Sequence, residues 1–340
     1  MMSMAFRRAG APGAAVASAV AALLVLSGCG GGAPDPGPAP TGPPPSPATA
    51  AASPSPARPV AAGPYVALGD SYTSGLQVPP QQGTPKGCGR SGVNYPSLVA
   101  AGLGLAAADF QDVSCSGART ADLTRAQQTS GGANPPQLGA VTAATRLVTL
   151  GIGGNDVGFM DVLGRCAMES IKYSVSAALT AGPAADASAA PCKDHYTAAD
   201  GGDEVGRTID ATGPRLAEAL REIRRRAPQA QVLVVGYPAL LPADPAACTA
   251  ALGQGVAAGD LRYLEQKQEQ LNSVLERAAE AGGARFVDTA APSAAHHMCA
   301  GDADRWVEPP VPAAGLAPMH PNAAGERAMA AAVLAVLAAR

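Results

Sequence analysis

The chain has 340 residues and a formal net charge of −3 at pH 7, with 24 Lys and Arg against 27 Asp and Glu. This balance excludes a general nucleic-acid binder, which would carry a basic patch or stripe, and predicts no steering of a strongly charged substrate. The excess of Pro is concentrated near the N-terminus, and the remainder carries enough Val, Leu and Ile for a core of one or two domains.

The first 28 residues have the pattern of an export signal. Arg7 and Arg8 precede an apolar run over 14–26, which has the length of a signal-peptide core and is short for a bilayer span. The run ends in the sequence LSGC, which resembles a bacterial lipobox. We therefore expect Cys29 to be acylated and to become the mature N-terminus; a cleaved signal with a chance cysteine is the alternative.

Residues 29–63 are rich in Pro, Ala, Gly and Ser, and they show neither a helical nor a strand period. Such a segment buries no core and behaves as a semi-extended tether. We expect it to hold a folded domain, residues 64–340, away from a membrane surface. The signal and the tether predict an extracellular protein anchored to the bacterial cell membrane as a lipoprotein, or otherwise secreted.

Short apolar runs alternate with helical patterns in the folded part. Five runs predict buried strands: Tyr65–Leu68, Phe110–Val113, Leu147–Gly151, Val232–Val235 and Arg285–Val287. Helices are predicted by Leu216, Leu220 and Ile223, by Leu261, Leu264, Leu271 and Leu275, and by the Ala- and Leu-rich segment Ala323–Leu337. This alternation predicts an α/β fold with a mainly parallel sheet, in which functional groups lie at the carboxyl ends of the strands.

Three segments lack a clear period, namely 161–202, 238–256 and 290–318. We interpret them as surface excursions held by disulfides. Seven cysteines are present, and six remain once Cys29 is set aside: Cys88, Cys115, Cys166, Cys192, Cys248 and Cys299. An even number in an exported protein predicts disulfides, although spacing leaves the pairing open. No pair has the C-x-x-C spacing of a zinc site, so no metal is expected.

Two loops after predicted strands carry residues suited to acyl chemistry. Ser71 follows the first strand in the sequence GDS, where a tight turn exposes its hydroxyl, and the hydroxyl becomes nucleophilic once a base removes its proton. Gly117 follows the second strand, and its backbone N–H can approach a ligand closely because no Cβ intervenes. Taken singly, each of these is also compatible with an ordinary turn.

The third strand continues into the sequence GIGGND at 151–156. This excludes a dinucleotide fingerprint, because Asp156 stands where the last glycine is required and the motif does not follow the first strand. No nicotinamide cofactor is therefore expected. Asn155 fits better as an amide donor aimed at a developing oxyanion, with helix capping as the alternative.

Four histidines could serve as a base. His195 lies in a segment flanked by cysteines, and His296 and His297 are adjacent to one another, which favours a surface loop over metal ligation. His320 precedes the last predicted helix, in a loop suited to reach the top of the sheet. It is therefore the candidate general base.

The order of these motifs resembles that of the SGNH (GDSL) hydrolases: GDS at 69–71, Gly117, GGND at 153–156 and HPN at 320–322. The resemblance extends from about Tyr65 to Leu337. It implies a flavodoxin-like three-layer α/β/α sandwich with a mainly parallel five-stranded sheet. It also implies a monomeric serine esterase or lipase that hydrolyses a small-molecule or lipid carboxylic ester and needs no metal or cofactor.

The resemblance assigns a role to each matching residue. Ser71 corresponds to the nucleophile and His320 to the general base. The oxyanion hole would use the backbone N–H groups of Ser71 and Gly117 and the side chain of Asn155. The secreted three-disulfide branch of the family further implies the pairs Cys88–Cys115, Cys166–Cys192 and Cys248–Cys299.

One position departs from the family pattern. Members commonly have Asp three residues before the histidine, where this chain has Ala317. We expect a main-chain carbonyl, that of Ala317, to hold the Nδ1–H of His320 in place of the acid. The competing hypothesis brings a carboxylate from the preceding loop, with Asp302, Asp304 and Glu308 as the candidates.

Two other functions remain open. A carbohydrate O-deacetylase would use the same residues and differ only in its pocket. A catalytically inactive lipoprotein could bind cell-wall or lipid ligands, although retention of all four motifs argues against it. The chain has only 4 Phe and 1 Trp, which favours soluble esters over a broad lipid-binding surface.

Overall fold

The structure is a computed structural model that describes residues 63–180, 188–244, 248, 252 and 256–339. The predictions for the export signal, for Cys29 and for the tether up to residue 62 lie outside these residues. No helix within the described ranges combines the length and the hydropathy needed to cross a membrane.

Strands and helices alternate along the described chain. The strands are β1 (Tyr65–Gly69), β2 (Gln81–Gln82), β3 (Arg90–Ser91), β4 (Phe110–Asp112), β5 (Gln127–Thr129), β6 (Gly132–Asn134), β7 (Leu147–Gly151), β8 (Gln231–Val235) and β9 (Arg285–Val287). The α-helices are α1 (Ser71–Ser74), α2 (Tyr95–Gly102), α3 (Gly154–Val157), α4 (Phe159–Leu179), α5 (Pro191–His195), α6 (Glu204–Asp210), α7 (Thr212–Arg226), α8 (Ala258–Ala281), α9 (Ala290–Ser293) and α10 (Ala323–Ala338).

Five strands form one parallel sheet in the order β4-β1-β7-β8-β9, and two antiparallel ribbons pair β2 with β3 and β5 with β6. The strand order reverses at β1, because the chain runs from β1 to β4 on one side and then to β7 on the other. Gly69 and Gly151 lie side by side where β1 and β7 end. Ligands of open α/β sheets bind at such a reversal. The expected five-stranded parallel sheet is confirmed.

The sheet has a helical layer on each face because successive strand side chains point in opposite directions. Tyr65 and Ala67 of β1 belong to an apolar cluster with residues of α2 and α10. Val66 and Leu68 belong to a second cluster, which includes residues of α7 and α8. The fold is therefore the three-layer α/β/α sandwich that the resemblance implies.

The prediction of loop-like structure over 161–202 was wrong in its first half. Residues up to 179 continue the 21-residue helix α4, and α5 follows at Pro191–His195. The helical period is hidden because both faces of α4 carry apolar residues: Val162, Leu163 and Cys166 are buried on one side, whereas Met168 and Ile171 are exposed on the other. A two-sided apolar pattern has no one-sided stripe to detect. Residues 290–318 contain only the single-turn helix α9 as regular α-structure.

Three disulfides join Cys88 to Cys115, Cys166 to Cys192 and Cys248 to Cys299. This is the sequential pairing that the resemblance implies. Each bridge contributes about 2–4 kcal/mol, chiefly by restricting the unfolded chain. The first holds the loop after β4, the second ties α4 to α5, and the third anchors the loop before His320.

Candidate active site

The turn after β1 fixes the position of Ser71. Asp70 caps α1, since its Oδ1 accepts a hydrogen bond from the Tyr72 N–H at 3.0 Å, and Ser71 is the first residue of that single-turn helix. The turn requires glycine at 69, where φ is +154° and a Cβ would lie 2.5 Å from the Gly151 carbonyl oxygen. Ser71 is consequently held at the carboxyl end of β1 with 7% of its surface exposed.

The ring of His320 bridges Ser71 and a main-chain carbonyl. Its Nε2 lies 2.8 Å from the Ser71 Oγ, and its Nδ1 lies 2.7 Å from the Pro318 carbonyl oxygen. A carbonyl oxygen can only accept, so Nδ1 must carry the proton and donate it. The neutral ring then has an unprotonated Nε2, which accepts the Ser71 hydroxyl proton. This is the hydrogen-bonding arrangement of a serine nucleophile and its general base.

The carbonyl partner of His320 is that of Pro318, and the expectation of Ala317 was wrong. Met319, which separates Pro318 from His320, has a φ of +56°. This left-handed residue turns the chain sharply, so that the carbonyl two residues before the histidine faces its ring. The turn is held by the Tyr72 Oη, which donates to the Met319 carbonyl oxygen at 2.5 Å.

None of the three candidate carboxylates is hydrogen-bonded to His320 within the described residues. Glu308 is buried, but its Oε1 accepts from the Asn322 Nδ2 at 2.9 Å. Asp302 forms an exposed ion pair with Arg305. Asp304 is exposed. The geometry therefore contains a Ser-His pair with a carbonyl in the position of the acid.

Burial lowers the pKa of His320 from its ordinary value of 6.5, because removal from water disfavours the charged imidazolium. The hydrogen bond to the Pro318 carbonyl opposes this shift in part, since it favours the protonated ring. The net direction is downward, so the ring is neutral at neutral pH and able to accept a proton.

Asn155 lies at the end of the neighbouring strand β7, in α3, and lines the same cavity as Ser71 and His320. Its Nδ2 donates to the Ala118 carbonyl oxygen at 3.0 Å, which fixes the amide and leaves its second N–H available. The N-cap of α3 is Gly153, and no side chain caps this helix. Capping therefore does not account for Asn155.

Gly117 has a φ of +77° and lies in the exposed turn after Cys115. The turn is fixed by the Cys88–Cys115 disulfide and by the Gln127 Nε2, which donates to the Ser116 carbonyl oxygen at 2.7 Å. Gly117 is not among the residues that line the cavity around Ser71. Its N–H, like that of Ser71, donates no hydrogen bond to any residue that the structure describes.

The cavity beside Ser71 has a polar end and an apolar wall. The wall is formed by Phe159, Met160, Leu240 and Leu271, which come from the start of α4, the loop after β8, and α8. The polar end contains Asp70, Ser71, Tyr72, Asn155, Tyr237 and His320, whereas Gln268 lies beside Leu240, from whose N–H its Oε1 accepts at 2.9 Å. An ester whose carbonyl lies at the polar end would direct an apolar substituent along the wall.

Sequence reasoning missed Tyr237 and gave Asp70 no role. Tyr237 follows β8, and its Oη donates to the Asp70 Oδ2 at 2.6 Å and accepts from the Gly154 N–H at 2.8 Å. It therefore ties the turn that holds Ser71 to the turn that holds Asn155. The only signal in the sequence was its place just after the predicted strand Val232–Val235, at a carboxyl end where functional groups of an α/β fold are expected.

Burial raises the pKa of Asp70 from 3.8 to about 7, while the hydrogen bonds from Tyr237 and from the Tyr72 N–H oppose the rise. Asp70 is thus a buried carboxyl group whose pKa lies near neutral pH, one residue before Ser71. Elsewhere in the described chain, Cys248, His297 and Cys299 lie close enough to share a metal ion. The disulfide between the two cysteines removes their thiolates, so they offer no such ligands.

Comparison with known proteins gives consistent matches. Residues 67–328 match the model of the GDSL-like lipase/acylhydrolase family. A protein named Lipase 2 from Streptomyces coelicolor is 42% identical over 280 residues, covering 81% of this chain and 86% of that protein. The structure of phospholipase A1 from Streptomyces albidoflavus NA297 gives a TM-score of 0.63 at 30% identity, over 81% of this chain and 99% of that one. The structure of an extracellular lipase from Streptomyces rimosus gives 0.61 at 28% identity, over 80% and 98% respectively.

Proposed function

The chain belongs to the GDSL-like lipase/acylhydrolase family and is a carboxylic ester hydrolase, and we propose that it acts through an acyl-enzyme on Ser71, with His320 as general base. One observation carries this assignment. The His320 Nε2 lies 2.8 Å from the Ser71 Oγ while Nδ1 is held by the Pro318 carbonyl. The nucleophile, the base and the group that orients the base thus form one chain of hydrogen bonds.

The reaction follows from this arrangement. The Ser71 Oγ attacks the ester carbonyl carbon as His320 removes its proton, and the carbonyl oxygen becomes an oxyanion. The second N–H of the Asn155 amide, together with the N–H groups of Ser71 and Gly117, stabilises that oxyanion. His320 then protonates the departing alcohol. A water molecule, deprotonated by His320, attacks the acyl-enzyme, and the acid leaves with Ser71 restored.

The substrate we propose is an ester with an acyl chain longer than acetyl. The apolar wall of Phe159, Met160, Leu240 and Leu271 supports this choice, because a chain laid along it would be removed from water. The relatives named lipase and phospholipase A1 support the same class. A carbohydrate deacetylase would need polar groups for a sugar on this wall.

We further propose an extracellular location with a lipid anchor at Cys29. The signal-like N-terminus and the three disulfides support export, since disulfides persist in oxidising compartments. The relative from Streptomyces rimosus is described as extracellular. Mass spectrometry of the mature N-terminal peptide tests the anchor, and an unlipidated start away from Cys29 would refute it.

The test of the catalytic proposal is labelling and turnover of Ser71→Ala. A fluorophosphonate should label the wild-type protein and leave the variant unlabelled, which also excludes an inactive binding protein. Turnover of p-nitrophenyl butyrate should fall by more than about 100-fold with the fold intact, because loss of a nucleophile removes most of the rate enhancement. A variant that is labelled, or that retains more activity, would show that another residue is the nucleophile.

The substrate class is tested with a panel of esters. Rates on p-nitrophenyl esters should rise from acetate to longer acyl chains, and acetylated xylan should be a poor substrate. The reverse order would favour the deacetylase.

A further inference from the structure

One face of α4 exposes large apolar side chains to water. Met168, Ile171, Val175 and Leu179 are 52%, 46%, 53% and 80% exposed. Among the described residues only one other large apolar side chain, Val311, is classed with them as exposed. Single exposed apolar residues are normal on protein surfaces, but four on one face of a helix form a patch of the kind that marks an interaction site.

The four residues form a continuous line, because their spacings of three and four residues place them on the same side of the helix. We call them the α4 apolar stripe. They lie opposite the face that packs into the core through Val162, Leu163 and Cys166. The stripe therefore extends along the second half of a helix whose other side is firmly attached to the domain.

The stripe leads to the active-site cavity. Stepping back along the helix from Met168 by four residues reaches the exposed Gly164, and four more reach Met160. Met160 and Phe159 belong to the apolar wall beside Ser71. From Met160 to Leu179 the line measures about 28 Å at a rise of about 1.5 Å per residue. One helix thus connects the wall of the cavity to a water-exposed apolar surface.

The charged side chains of α4 balance one another. Its two basic residues, Arg165 and Lys172, both pair with Glu169, at 3.6 and 2.9 Å, and Asp161 supplies a second acidic group. The helix has no net charge with which to attract an anionic surface. Contact at the stripe must therefore be apolar, and it should be insensitive to salt.

We propose that the α4 apolar stripe docks the enzyme on a neutral or zwitterionic lipid surface, from which the ester enters the cavity past Met160. This deepens the proposed function and rests on it. A second copy of the chain or a protein partner seated on the stripe would bring no ester, whereas a lipid surface in the same place would present substrate along the helix that lines the cavity. The sequence argument for soluble esters counted only Phe and Trp, whereas the stripe consists of Met, Ile, Val and Leu.

The test compares two substrates for each variant of the full-length chain. The soluble ester is p-nitrophenyl butyrate, and the interfacial ester is 4-methylumbelliferyl oleate in phosphatidylcholine vesicles. The variant Met168→Gln/Ile171→Gln/Val175→Gln/Leu179→Gln keeps good helix formers on the face. Its turnover on vesicles should fall at least tenfold, while its turnover of the soluble ester stays within twofold. Since any lipid anchor is shared by all variants, its effect cancels when the ratio of the two rates is compared between a variant and the parent.

The matched control is Glu169→Gln/Lys172→Gln, which alters the charged flank of the same helix without changing its net charge. It should leave both rates unchanged. If the quadruple variant fails to fold, Leu179→Gln alone, at the most exposed position, should still lower the vesicle rate relative to the soluble rate. The ratio should also be the same in low and high salt.

Three outcomes would overturn docking at the stripe. The first is a ratio of vesicle rate to soluble-ester rate that is the same in both stripe variants as in the parent. The second is a ratio that falls sharply in high salt. The third is a parent that is dimeric by light scattering and becomes monomeric when the stripe is substituted. The last would identify the stripe as a contact between copies. Failure of the proposed function looks different, because the parent would then lack both soluble-ester turnover and fluorophosphonate labelling.

Discussion

Replacing Tyr237 with Phe removes one oxygen atom from the site and leaves two polar groups, one buried and one half-buried, without their partner. The Asp70 Oδ2 loses a donor at 2.6 Å, and the Gly154 N–H loses an acceptor at 2.8 Å. Gly154 immediately precedes Asn155, and Asp70 immediately precedes Ser71. The substitution therefore releases the two turns that hold the nucleophile and the amide donor relative to each other, without touching either group directly.

We expect the turnover number of Tyr237→Phe to fall about 10- to 100-fold with little change in KM. A misplacement of about 1 Å between reacting groups costs on the order of 100-fold, whereas the apolar wall that binds the acyl chain is unaltered. The free energy of unfolding should fall by about 2–4 kcal/mol, because a buried unpaired polar group costs about 1–3 kcal/mol and Asp70 can avoid a bare charge by protonation.

Tyr263→Phe is the matched control. Tyr263 is also a buried tyrosine whose Oη donates to an aspartate, the Asp203 Oδ1 at 3.1 Å, but this pair does not line the cavity. Its loss should lower stability and leave the turnover number unchanged. Steady-state kinetics on p-nitrophenyl butyrate and urea unfolding measure both quantities for both variants.

The pH dependence of stability gives an independent readout. Because the folded-state pKa of Asp70, about 7, lies above the ordinary value of 3.8, this group favours folding less as pH rises between those values. The Tyr237 hydrogen bond lowers that pKa, so in Tyr237→Phe the decline in the free energy of unfolding should continue to higher pH.

If Tyr237→Phe loses stability as the control does but keeps its turnover number within threefold, Tyr237 has only a structural role.

Three further predictions concern the chemistry. Asn155→Ala should lower the turnover number about 100- to 1000-fold with little effect on KM, and a main effect on melting temperature would instead indicate a structural role. Glu308→Gln should stay within about tenfold of wild-type turnover, as should Asp302→Asn and Asp304→Asn, because a true triad acid costs on the order of 10⁴ when neutralised. Activity should rise with pH through a pKa below the ordinary value for His320, since burial lowers it and the ring must be neutral to act; a limb at or above 6.5 in a pH–rate profile would contradict this.

The sequence predicts the elements that are marked by a short apolar run, by a helical period of apolar residues or by a helix-favouring composition. The five strands of the main sheet are predicted to within a residue at each end; the three central ones, β1, β7 and β8, are short buried runs rich in Val and Leu, which have few other folded solutions. α7 and α8 are predicted because each repeats its apolar residues on one side with a helical period, and α10 because its Ala- and Leu-rich composition favours a helix. α4 fails this test, since apolar residues occupy the face that meets the solvent as well.

The parts of the site that could not be predicted depend on backbone geometry or on distant partners. The choice of the Pro318 carbonyl over that of Ala317 follows from the left-handed backbone at Met319, which no residue pattern announces. Tyr237 meets Asp70 across 167 positions and Gly154 across 83. A tyrosine after a strand is unremarkable until the order of strands in the sheet is known.

That order explains why the chemistry is concentrated in so small a volume. β1, β7 and β8 are consecutive in the sheet, and the residues just beyond their ends are Ser71, Asn155 and Tyr237. Adjacent strands lie about 5 Å apart, so groups one to four residues past their ends come within hydrogen-bonding reach of a shared partner. His320 is brought to them by the turn before α10, and no carboxylate in the described part of the chain is hydrogen-bonded to its ring. Its orientation therefore depends on the Pro318 carbonyl, which accepts from its ring, and on the Tyr72 hydroxyl, which donates to the Met319 carbonyl; both acceptors are main-chain oxygens, which a side-chain substitution elsewhere in the loop does not remove.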